Sequence, residues 1–479
     1  MRYSRLLLFL ASFLAALSAA QQDSSACTAC QLLNDTLPGL VFFSGSSDYT
    51  EDDSHFAASS TQNSTCTLQI LGRDDVRAPF AVKGGGHSSN VRFSSTTGVQ
   101  ISLENFNQII PDPYTNTLQL GPSATWDEAY AALDPFNQVS TGARIPGVGV
   151  GGVLLGGGYG WVTDEYGLAI DNILSWDLIL PNGTFVQVTE ESHPELAFGL
   201  RGGFNNFGIV TSFTIKTHPG NQVWAGTVTF SLDVIDQVFA ALENYSFNHT
   251  DEKAGLLLQY SAASTRAPAI MAHLCYHAPV SDVPEVFSEL LSIPALNDTA
   301  HLTTLSQFLL ESFGSFLNPR VGFAQHAIPI IHYTEPILRS IQAQVNATVA
   351  KAIADGTSII SASVGSEPLI HPFVDPKDSA YPHSTARQIT PANVFIFYNN
   401  VSDRDYMSNA IREFSLEIQK VAIEEGWSRP DDILYSNYAV AGTPLELIYG
   451  DNIERLRALK KIVDPTNVMG LTGGWKVPV

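Results

Sequence analysis

The sequence predicts an α+β protein made of two unlike units, and three features of the 479-residue chain support that prediction. Residues 60–220 are dense in short strand signals separated by glycine, asparagine and proline turns. Residues 221–430 instead carry long amphipathic helix candidates between strand candidates, which predicts an antiparallel sheet covered by helices. Two glycine clusters, at 84–86 and 147–160, lie within the first unit.

The predicted elements follow from these local patterns. In the first unit, the strand candidates span 80–82, 99–103, 118–120, 173–180 and 209–215, and one helix candidate spans 125–133. In the second unit, the helix candidates span 232–245, 336–354 and 405–425, and the strand candidates span 254–260, 269–276, 358–364 and 394–398. The tail carries an aromatic strand candidate at 433–438 and a helix candidate at 453–462 that stops near Pro465.

The first twenty residues have the pattern of a secretory signal peptide. Arg2 and Arg5 precede an apolar stretch at 6–17, and small residues end the segment at 18–20. A membrane anchor is the alternative, but the apolar stretch is short for a span. We therefore expect cleavage after Ala20 and a protein that is secreted or travels the secretory pathway.

Eight N-x-[ST] sequons without proline at the middle position fit that route and predict glycosylation. They begin at Asn34, Asn63, Asn182, Asn244, Asn248, Asn297, Asn346 and Asn400.

Four cysteines are present, and two of them, Cys27 and Cys30, form a C-x-x-C. That motif is redox-active or metal-binding in a reducing compartment, but no second C-x-x-C or paired histidines complete a zinc site. In an oxidising compartment we expect a structural disulfide from Cys30, or from Cys27, to Cys66. Cys275 lies in an apolar run and is expected to be a buried thiol.

The formal net charge of −22, with no basic run, excludes a nucleic-acid partner because such a chain repels phosphate backbones. The negative charge favours solubility instead. No stretch after the signal peptide is long and apolar enough to cross a bilayer, so we expect no membrane partner. No pattern in the sequence determines the oligomeric state, and we expect a monomer.

The glycine clusters indicate a phosphate-bearing cofactor. Glycine permits positive φ and lets backbone N–H groups approach a ligand closely. Successive N–H groups in such turns form concavities that bind anions such as a pyrophosphate. His87 follows Gly84, Gly85 and Gly86 directly, so it lies beside whatever the turn binds.

A dinucleotide-binding Rossmann fold is the alternative, because Gly147, Gly149 and Gly152 match G-x-G-x-x-G. That motif needs an apolar strand before it and a helix opening on its last glycines. Residues 139–144 are a poor buried strand, and a helix through 156–160 would contain four glycines at roughly 1 kcal/mol each against alanine. We therefore reject the Rossmann interpretation.

Six segments in order carry a resemblance to a known family. They are Lys83-Gly84-Gly85-Gly86-His87, Gly121-Pro122-Ser123-Ala124-Thr125-Trp126, the glycine loop 149–160, Gly167-Leu168-Ala169-Ile170-Asp171-Asn172, the segment 201–210, and the tail at 435–438, 449–452 and 464–468. Over nearly all of the chain that follows the signal peptide, the sequence resembles the PCMH-type FAD-binding fold of the vanillyl-alcohol-oxidase superfamily. Within it, the chain is similar to the berberine-bridge-enzyme-like branch, whose fungal members are often secreted.

The resemblance implies FAD as the cofactor and a division into a two-part FAD-binding domain at 21–220, a substrate domain at 221–430 and a C-terminal return to the FAD domain at 431–479. It implies that His87 bonds covalently to the flavin 8α-methyl. The other cofactor-binding positions that it implies are Lys83, Gly84, Gly85, Gly86, Ser88, Gly149, Gly151, Gly152, Gly157, Gly158, Gly160, Asn206, Gly208, Ile209, Val210 and Asn437.

The sequence departs from the family at two flavin contacts. Many relatives attach FAD a second time through a cysteine, and Ile145 stands at that position. We therefore expect a single covalent attachment through His87, or no covalent attachment at all. A histidine that relatives place near the flavin N1–C2=O becomes Val153, so the negative charge of a reduced flavin must be stabilised by other groups.

The catalytic base is expected among the C-terminal tyrosines. Tyr435 and Tyr438 alternate with Asn437 on the predicted strand, and we expect both tyrosines to share one face there. The acid of the family's Y-x-N-Y-x-D pattern is absent, because Val440 stands in its place. One or both tyrosines packing against the flavin is the alternative. Weaker candidates on the substrate sheet are Tyr398, His273, His277 and His332.

The resemblance implies an FAD-dependent oxidase that passes hydride from an alcohol or amine C–H to flavin N5, while O2 becomes H2O2. The small Ala143 would leave O2 access open. Loss of the second attachment favours a small metabolite over an oligosaccharide as substrate. The alternatives are an oligosaccharide oxidase, a biosynthetic enzyme that couples oxidation to ring closure, and a secreted glycoprotein of this fold without turnover.

Overall fold

A computed structural model describes residues 26–69, 79–317, 320–370 and 372–479, and the predicted signal peptide at 1–20 lies outside them. Helices and sheets are mixed as the sequence predicts, which confirms the α+β fold class. Across the described residues, no helix combines the length and apolar character of a membrane span. In the same residues, no cluster of histidine, cysteine and acidic side chains is arranged to hold a metal ion.

The first unit contains eleven of the described strands and six of the described helices. The strands are β1 (Val41–Phe42), β2 (Cys66–Gln69), β3 (Phe80–Lys83), β4 (Val99–Ser102), β5 (Ile109–Asp112), β6 (Thr117–Leu120), β7 (Gln138–Val139), β8 (Ile173–Ile179), β9 (Phe185–Val188), β10 (Ile209–Lys216) and β11 (His218–Pro219). The helices are α1 (Ala26–Thr36), α2 (Ser47–Asp53), α3 (Trp126–Leu133), α4 (Val150–Gly156), α5 (Thr163–Tyr166) and α6 (Pro194–Leu200).

These strands form two larger sheets, as expected for a two-part binding unit. The first has the order β1-β2-β4-β3, in which β2 and β3 run parallel to β4. The second has the order β5-β6-β10-β8-β9, and all its pairs are antiparallel. An antiparallel second sheet rules out the Rossmann alternative, which requires parallel strands joined by helices.

The short helix α4 explains how a glycine-rich segment supports both a helix and a loop. It begins after Gly149 and ends at Gly156, just before Gly157 and Gly158 adopt φ of 141° and 89°. Positive φ of this kind is open to glycine at no steric cost. The helix therefore stops where the glycine run begins, and residues 157–160 form a loop.

The second unit is built on one large antiparallel sheet. Its strands are β12 (Gln222–Phe230), β13 (Ala254–Ala263), β14 (Ala269–Tyr276), β15 (Ala295–Asp298), β16 (His301–Thr304), β17 (Gly322–Ile330), β18 (Ile359–Ser366) and β19 (Thr390–Tyr398). Their order is β15-β12-β14-β13-β18-β19-β17, with β16 also paired to β12. The helices are α7 (Ile235–Asn248), α8 (Ser288–Leu291), α9 (Leu305–Phe313), α10 (Glu335–Ala354) and α11 (Arg404–Glu424).

The two faces of this sheet have different partners. Apolar residues of α7, α10 and α11 share one core with alternate strand residues such as Leu258, Val364 and Val394. On the opposite face, Leu257 and Ala327 join the core of the first unit. Because successive strand residues point to opposite faces, the sheet presents its second face to the glycine-rich unit, as a substrate-facing sheet requires.

The C-terminal tail returns to the first unit, where α12 (Glu446–Tyr449) and α13 (Ile453–Val463) add Tyr449 and Leu456 to its core. The expected strand at 433–438 is wrong. The chain forms a turn there, closed by hydrogen bonds from the Tyr438 and Ala439 N–H groups to the Tyr435 carbonyl. The Leu434 N–H is taken by the Leu447 carbonyl of the tail itself, so no neighbouring strand pairs with the segment.

A disulfide joins Cys30 of α1 to Cys66 of β2 and closes a loop over a separation of 36 residues. Cys27 is exposed and free, whereas Cys275 is a free buried thiol. The bond fastens α1 to the first sheet through a core that includes Leu33.

We expect the Cys30→Ala/Cys66→Ala double variant to lose about 2–4 kcal/mol of unfolding free energy, because the open loop restores entropy to the unfolded chain. The measurement is chemical denaturation followed by fluorescence. Cys27→Ala is the matched control and should leave the denaturation midpoint unchanged. Equal midpoints for the double variant and the wild type would contradict this role of the disulfide.

Candidate active site

The glycine-histidine loop, residues 84–88, follows β3 directly. Among the described residues, none of its backbone N–H groups donates a hydrogen bond to the protein. The loop turns through Gly86 at a φ of 67°. A run of unpaired N–H groups in such a turn forms a concavity that suits an anion, which supports the predicted phosphate site.

The glycine-histidine loop and the start of α4 touch backbone to backbone. A Cβ on Gly85 would lie 2.4 Å from the Gly149 Cα, and one on Gly84 would lie 2.5 Å from the Pro122 carbonyl oxygen. Only glycine permits these approaches. On α4 the Gly151 N–H donates to the Pro122 carbonyl, whereas a Cβ on Gly152 would meet nothing within 4 Å. The helix therefore leaves open space at Gly152, where a cofactor can lie.

His87 lies at the end of this loop and stacks on Phe56, with ring centroids 3.9 Å apart. Its Nε2 atom is buried and has no hydrogen-bond partner among the residues that the structure describes. Burial lowers the pKa of His87 to about 4, so the imidazole is neutral at physiological pH. A neutral ring with an unpartnered nitrogen fits a residue that bonds to a ligand at this place.

Two predicted cofactor residues have their side chains engaged within the protein. The Lys83 ammonium donates to the carbonyl oxygens of Glu51 and Asp52, each at 3.0 Å, and so holds α2. The Asn206 amide donates to the Gly203 and Trp475 carbonyls at 2.8 Å and fixes the tail. Both side chains are therefore engaged in hydrogen bonds within the protein, which the motif comparison could not show.

Backbone N–H groups of the glycine loop 157–160 also donate hydrogen bonds within the protein. The N–H groups of Gly157, Gly158 and Gly160 donate to the Val153 carbonyl, the Tyr435 hydroxyl and the Thr163 hydroxyl, respectively. These N–H groups are therefore not free for a ligand. The loop instead holds the Tyr435 side chain through the hydrogen bond from the Gly158 N–H.

The remaining predicted cofactor positions lie on local backbone structure. Ser88 accepts a hydrogen bond from the Asn90 N–H, which closes the end of the glycine-histidine loop. Gly208 adopts a φ of 145°, and Ile209 and Val210 begin β10 beside β8. Asn437 reaches α4, where a Cβ on Gly156 would lie 2.5 Å from its amide nitrogen.

Tyr435 and Tyr438 lie together although they occupy a turn, with ring centroids 4.7 Å apart. The Tyr435 hydroxyl accepts hydrogen bonds from the Gly158 N–H and the Asn437 amide, both at 3.0 Å. The Tyr438 hydroxyl accepts from the Arg144 guanidinium at 2.9 Å. The two tyrosines therefore differ in their hydrogen-bond partners. Neutral amides donate to the Tyr435 hydroxyl, whereas a charged guanidinium donates to the Tyr438 hydroxyl.

A buried ion pair completes this cluster, and sequence reasoning missed both of its members. Arg144 donates from Nη2 to Glu367 Oε2 at 2.5 Å, and the two side chains are 7% and 1% exposed. Burial raises the pKa of Glu367 to about 7, while Arg144 opposes that rise. A lone arginine in the apolar stretch before the glycine loop is the one sequence signal that pointed to it.

A polar stripe crosses the substrate sheet on the face that carries Glu367. Across four strands, hydrogen bonds join Gln259 to Ser261, Ser261 to Ser363, and Gln325 to Asn393. Their sequence neighbours lie in the helix-covered core, so these side chains point toward the first unit.

The four weaker base candidates lie elsewhere. Tyr398 belongs to the helix-covered core. His273 bonds Thr227, His277 bonds Glu165 at 2.5 Å, and His332 bonds the Ser246 carbonyl. None of these partners belongs to the Tyr438 cluster.

The positions that depart from the family are apolar in the structure as well. Ile145 and Val153 both pack with the core of the first unit, and Val153 is 6% exposed. Ala143 is buried, and its carbonyl accepts the Tyr130 hydroxyl at 3.0 Å.

Comparison with known proteins finds two family models that match parts of the chain. Residues 71–189 match the FAD binding domain family, and residues 434–472 match the berberine and berberine-like family. An FAD-dependent monooxygenase of Aspergillus calidoustus, drtC, is 27% identical over 488 residues, which cover 94% of this chain and 90% of that protein.

Two solved structures share the fold. A 6-hydroxy-D-nicotine oxidase from Arthrobacter nicotinovorans superposes with a TM-score of 0.77 at 18% identity, covering 92% of this chain and 98% of that one. A xylooligosaccharide oxidase from Myceliophthora thermophila gives a TM-score of 0.74 at 20% identity, covering 95% and 99%. The matched domains confirm FAD as the cofactor, and the chain is an FAD-linked oxidoreductase that carries an FAD binding domain and a berberine and berberine-like segment.

Proposed function

We propose that this protein is an oxidase that removes hydride from an alcohol or amine carbon of a small metabolite, with O2 reduced to H2O2. The observation that carries the proposal is the half-buried Tyr438 hydroxyl, which accepts a hydrogen bond from Arg144 of the Arg144–Glu367 pair. Oxidation of an alcohol or amine needs a base for the O–H or N–H proton as well as a hydride acceptor. Bound FAD supplies the hydride acceptor.

The residues present fit FAD. The unpaired N–H groups of residues 84–88 would hold the pyrophosphate, and the open side of α4 at Gly152 leaves room for the bound group. His87, with its orphaned Nε2, would bond to the flavin. Ile145 supplies no second nucleophile, so His87 alone would make the attachment.

The substrate would lie between the sheet and the glycine-rich unit. The polar stripe of Gln259, Ser261, Ser363, Asn393 and Gln325 offers amide and hydroxyl groups to a hydroxylated or carbonyl-bearing molecule. The stripe orients the substrate, and Tyr438 takes the proton. A xylooligosaccharide oxidase shares the fold, so oligosaccharides belong in the substrate screen as the competing class.

Monooxygenase activity is the alternative, because a relative is named an FAD-dependent monooxygenase. An oxidase releases one H2O2 for each substrate oxidised, whereas a monooxygenase or a ring-closing enzyme does not keep that ratio. Screening alcohols, amines and sugars for H2O2 release and O2 uptake tests the proposal. Substrate-dependent bleaching of the flavin without stoichiometric H2O2 would reject the oxidase.

We further propose secretion and glycosylation. None of the eight sequon asparagines is buried, and six of them, Asn63, Asn182, Asn244, Asn248, Asn297 and Asn400, are exposed. Asn34 and Asn346 are half-buried, and the Asn346 amide donates to the Tyr260 hydroxyl. The Cys30–Cys66 bond fits an oxidising compartment. Detection of the glycosylated protein in culture medium, with cleavage after Ala20, is the direct check.

We expect acid-denatured protein to keep fluorescent flavin on one tryptic peptide, the one that contains His87. His87→Ala removes the nucleophile, so it should abolish the covalent flavin while some FAD remains bound. Peptide mapping by mass spectrometry measures both. Flavin found on a cysteine peptide, or retained covalently in His87→Ala, would contradict the assignment.

We expect Tyr438→Phe to slow flavin reduction by substrate about 10²–10⁴-fold, the usual contribution of a positioned proton acceptor. The loss of a single hydroxyl should leave flavin content unchanged. Tyr435→Phe is the matched control and should have a small effect, because neutral amides hold its hydroxyl. Rapid-mixing kinetics decides the assignment, and a larger effect at Tyr435 would reverse it.

A further inference from the structure

Four glycines lie in the described strands of the large sheet, and close packing explains three of them. A Cβ on Gly226, Gly255 or Gly322 would lie 2.4, 3.1 or 2.2 Å from its nearest neighbouring atom, respectively. Those distances are shorter than the optimal separation of two carbon atoms, so a larger residue would displace the surrounding structure. The fourth, Gly365 of β18, needs another explanation.

A Cβ on Gly365 would meet its neighbours at ordinary contact distances. It would lie 3.4 Å from Leu257 Cδ2 and 3.8 Å from the Asn393 Cβ, and both atoms belong to side chains. The φ of Gly365 lies outside the left-handed region that favours glycine. Glycine weakens the interior of a strand and often marks a place where another backbone or a ligand approaches closely. Since the nearest atoms are side-chain atoms, this glycine indicates a ligand.

Gly365 faces the first unit, beside the candidate base. Glu367 follows two residues later and bonds Arg144 of that unit, and alternate residues of a strand share one face. At the usual rise of a strand, the two residues lie about 7 Å apart. The Arg144 guanidinium also donates to the Tyr438 hydroxyl. A ligand over Gly365 would therefore lie next to the cluster that holds Tyr438.

Asn393 of β19 and Gln259 of β13 are the register partners of Gly365, one on each side. Since neighbouring strands lie about 4.8 Å apart, these two residues are separated by about 9–10 Å. The gap over Gly365 between their side chains is named the glycine notch. Both residues are half-buried, as is Met271 beside Gln259, although this face of the sheet lies against the first unit. The notch is therefore accessible from a space between the two units.

The two walls of the glycine notch offer opposite hydrogen-bonding groups. Asn393 Oδ1 accepts from the Gln325 amide at 2.9 Å, and Gln259 Nε2 donates to the Ser261 hydroxyl at 2.8 Å. Among the described residues, the Asn393 amide nitrogen is thus left to donate and Gln259 Oε1 is left to accept. A ligand in the notch meets a donor on one side and an acceptor on the other.

The described walls of the glycine notch carry no charge. Asn393 and Gln259 are neutral amides, and the nearby Glu367 and Arg144 already neutralise each other. An ionised ligand would be buried here without a counter-ion, which is strongly unfavourable. The notch therefore selects uncharged ligands.

We propose that Gly365 is a specificity-determining residue and that the glycine notch takes an uncharged planar ring, with a carbonyl or ether oxygen toward Asn393 and a hydroxyl toward Gln259. The proposal rests on the oxidase function above and specifies its small metabolite. A flat ring lies against the strand backbone because no Cβ holds it away. A sugar ring fits less well, because it carries hydroxyls around its whole edge and the two walls satisfy only a few of them.

The test measures ligand binding to the flavin-containing protein without turnover. The first probe is para-hydroxyacetophenone, which is planar and carries a carbonyl and a hydroxyl at opposite ends. The second is para-hydroxybenzoate, which carries a carboxylate instead of the ketone, and the third is xylobiose. Dissociation constants come from line broadening in ligand NMR spectra, at a pH where the phenols keep their protons. The variants are Gly365→Ala and Gly365→Val, with Ala263→Val as the matched control.

We expect the wild type to bind para-hydroxyacetophenone at least about tenfold more tightly than the other two probes, and Gly365→Ala and Gly365→Val to weaken that binding about tenfold and about 100-fold. The added carbon atoms occupy the space of the ring. Ala263→Val should change nothing, because Ala263 pairs with Ser361, outside the row of the notch. Both Gly365 variants should keep the melting temperature, since a Cβ fits there and Val favours strands.

The orientation of the ring is tested with Asn393→Leu, which removes the donor at similar volume. This variant should weaken binding of para-hydroxyacetophenone more than binding of phenol, which lacks the carbonyl. An equal loss for both ligands would contradict the carbonyl contact at Asn393.

Unchanged binding of para-hydroxyacetophenone in folded Gly365→Val would overturn the proposal, as would a wild type that binds it no better than xylobiose or para-hydroxybenzoate. If Gly365→Val does not fold, Gly365→Ala decides. Since binding needs no turnover, the expected binding results in a protein that releases no H2O2 from any alcohol or amine would reject only the oxidase function. Substrate-dependent H2O2 release that is unchanged in Gly365→Val would reject only the role of the notch.

Discussion

The arrangement of the site depends on one buried ion pair. Arg144 comes from the glycine-rich unit and Glu367 directly follows β18, so their contact joins the two units. Removing either partner alone would leave a buried charge, which typically costs 3–5 kcal/mol. The pair therefore fixes the distance between the units and brings the Tyr438 hydroxyl to a charged neighbour.

Glycine makes the other half of the site possible for a different physical reason. Gly85 and Gly149 approach within a distance that no Cβ permits, and this contact sets the glycine-histidine loop against α4. The N–H groups of residues 84–88 remain unpaired as a consequence. The glycine-rich sequence is thus associated with both the close backbone contact and the row of N–H groups that have no acceptor among the described residues. His87, with a neutral imidazole, lies at the end of that row.

In the tail, the strand predicted from the sequence does not form, yet the two tyrosines still lie close together. Alternation of Tyr435, Asn437 and Tyr438 predicted a strand, but strand formation needs a partner strand, and the Leu447 carbonyl and the turn take the available N–H groups. The tyrosines still meet because the turn brings their rings together. Their different roles follow from their neighbours, which the sequence pattern does not contain.

The sequence by itself determined the fold class and a phosphate-binding glycine loop, because glycine conformations and strand and helix periodicities are local properties. The resemblance of its motifs to a known family implied FAD and the attachment candidate His87. It also placed the tyrosines in the tail. Only the tertiary structure decided that the side chains of Lys83 and Asn206 bond to backbone carbonyls, and that Arg144 meets Glu367 across a separation of 223 residues. Contacts of that range depend on how whole units pack, and no spacing along the chain records them.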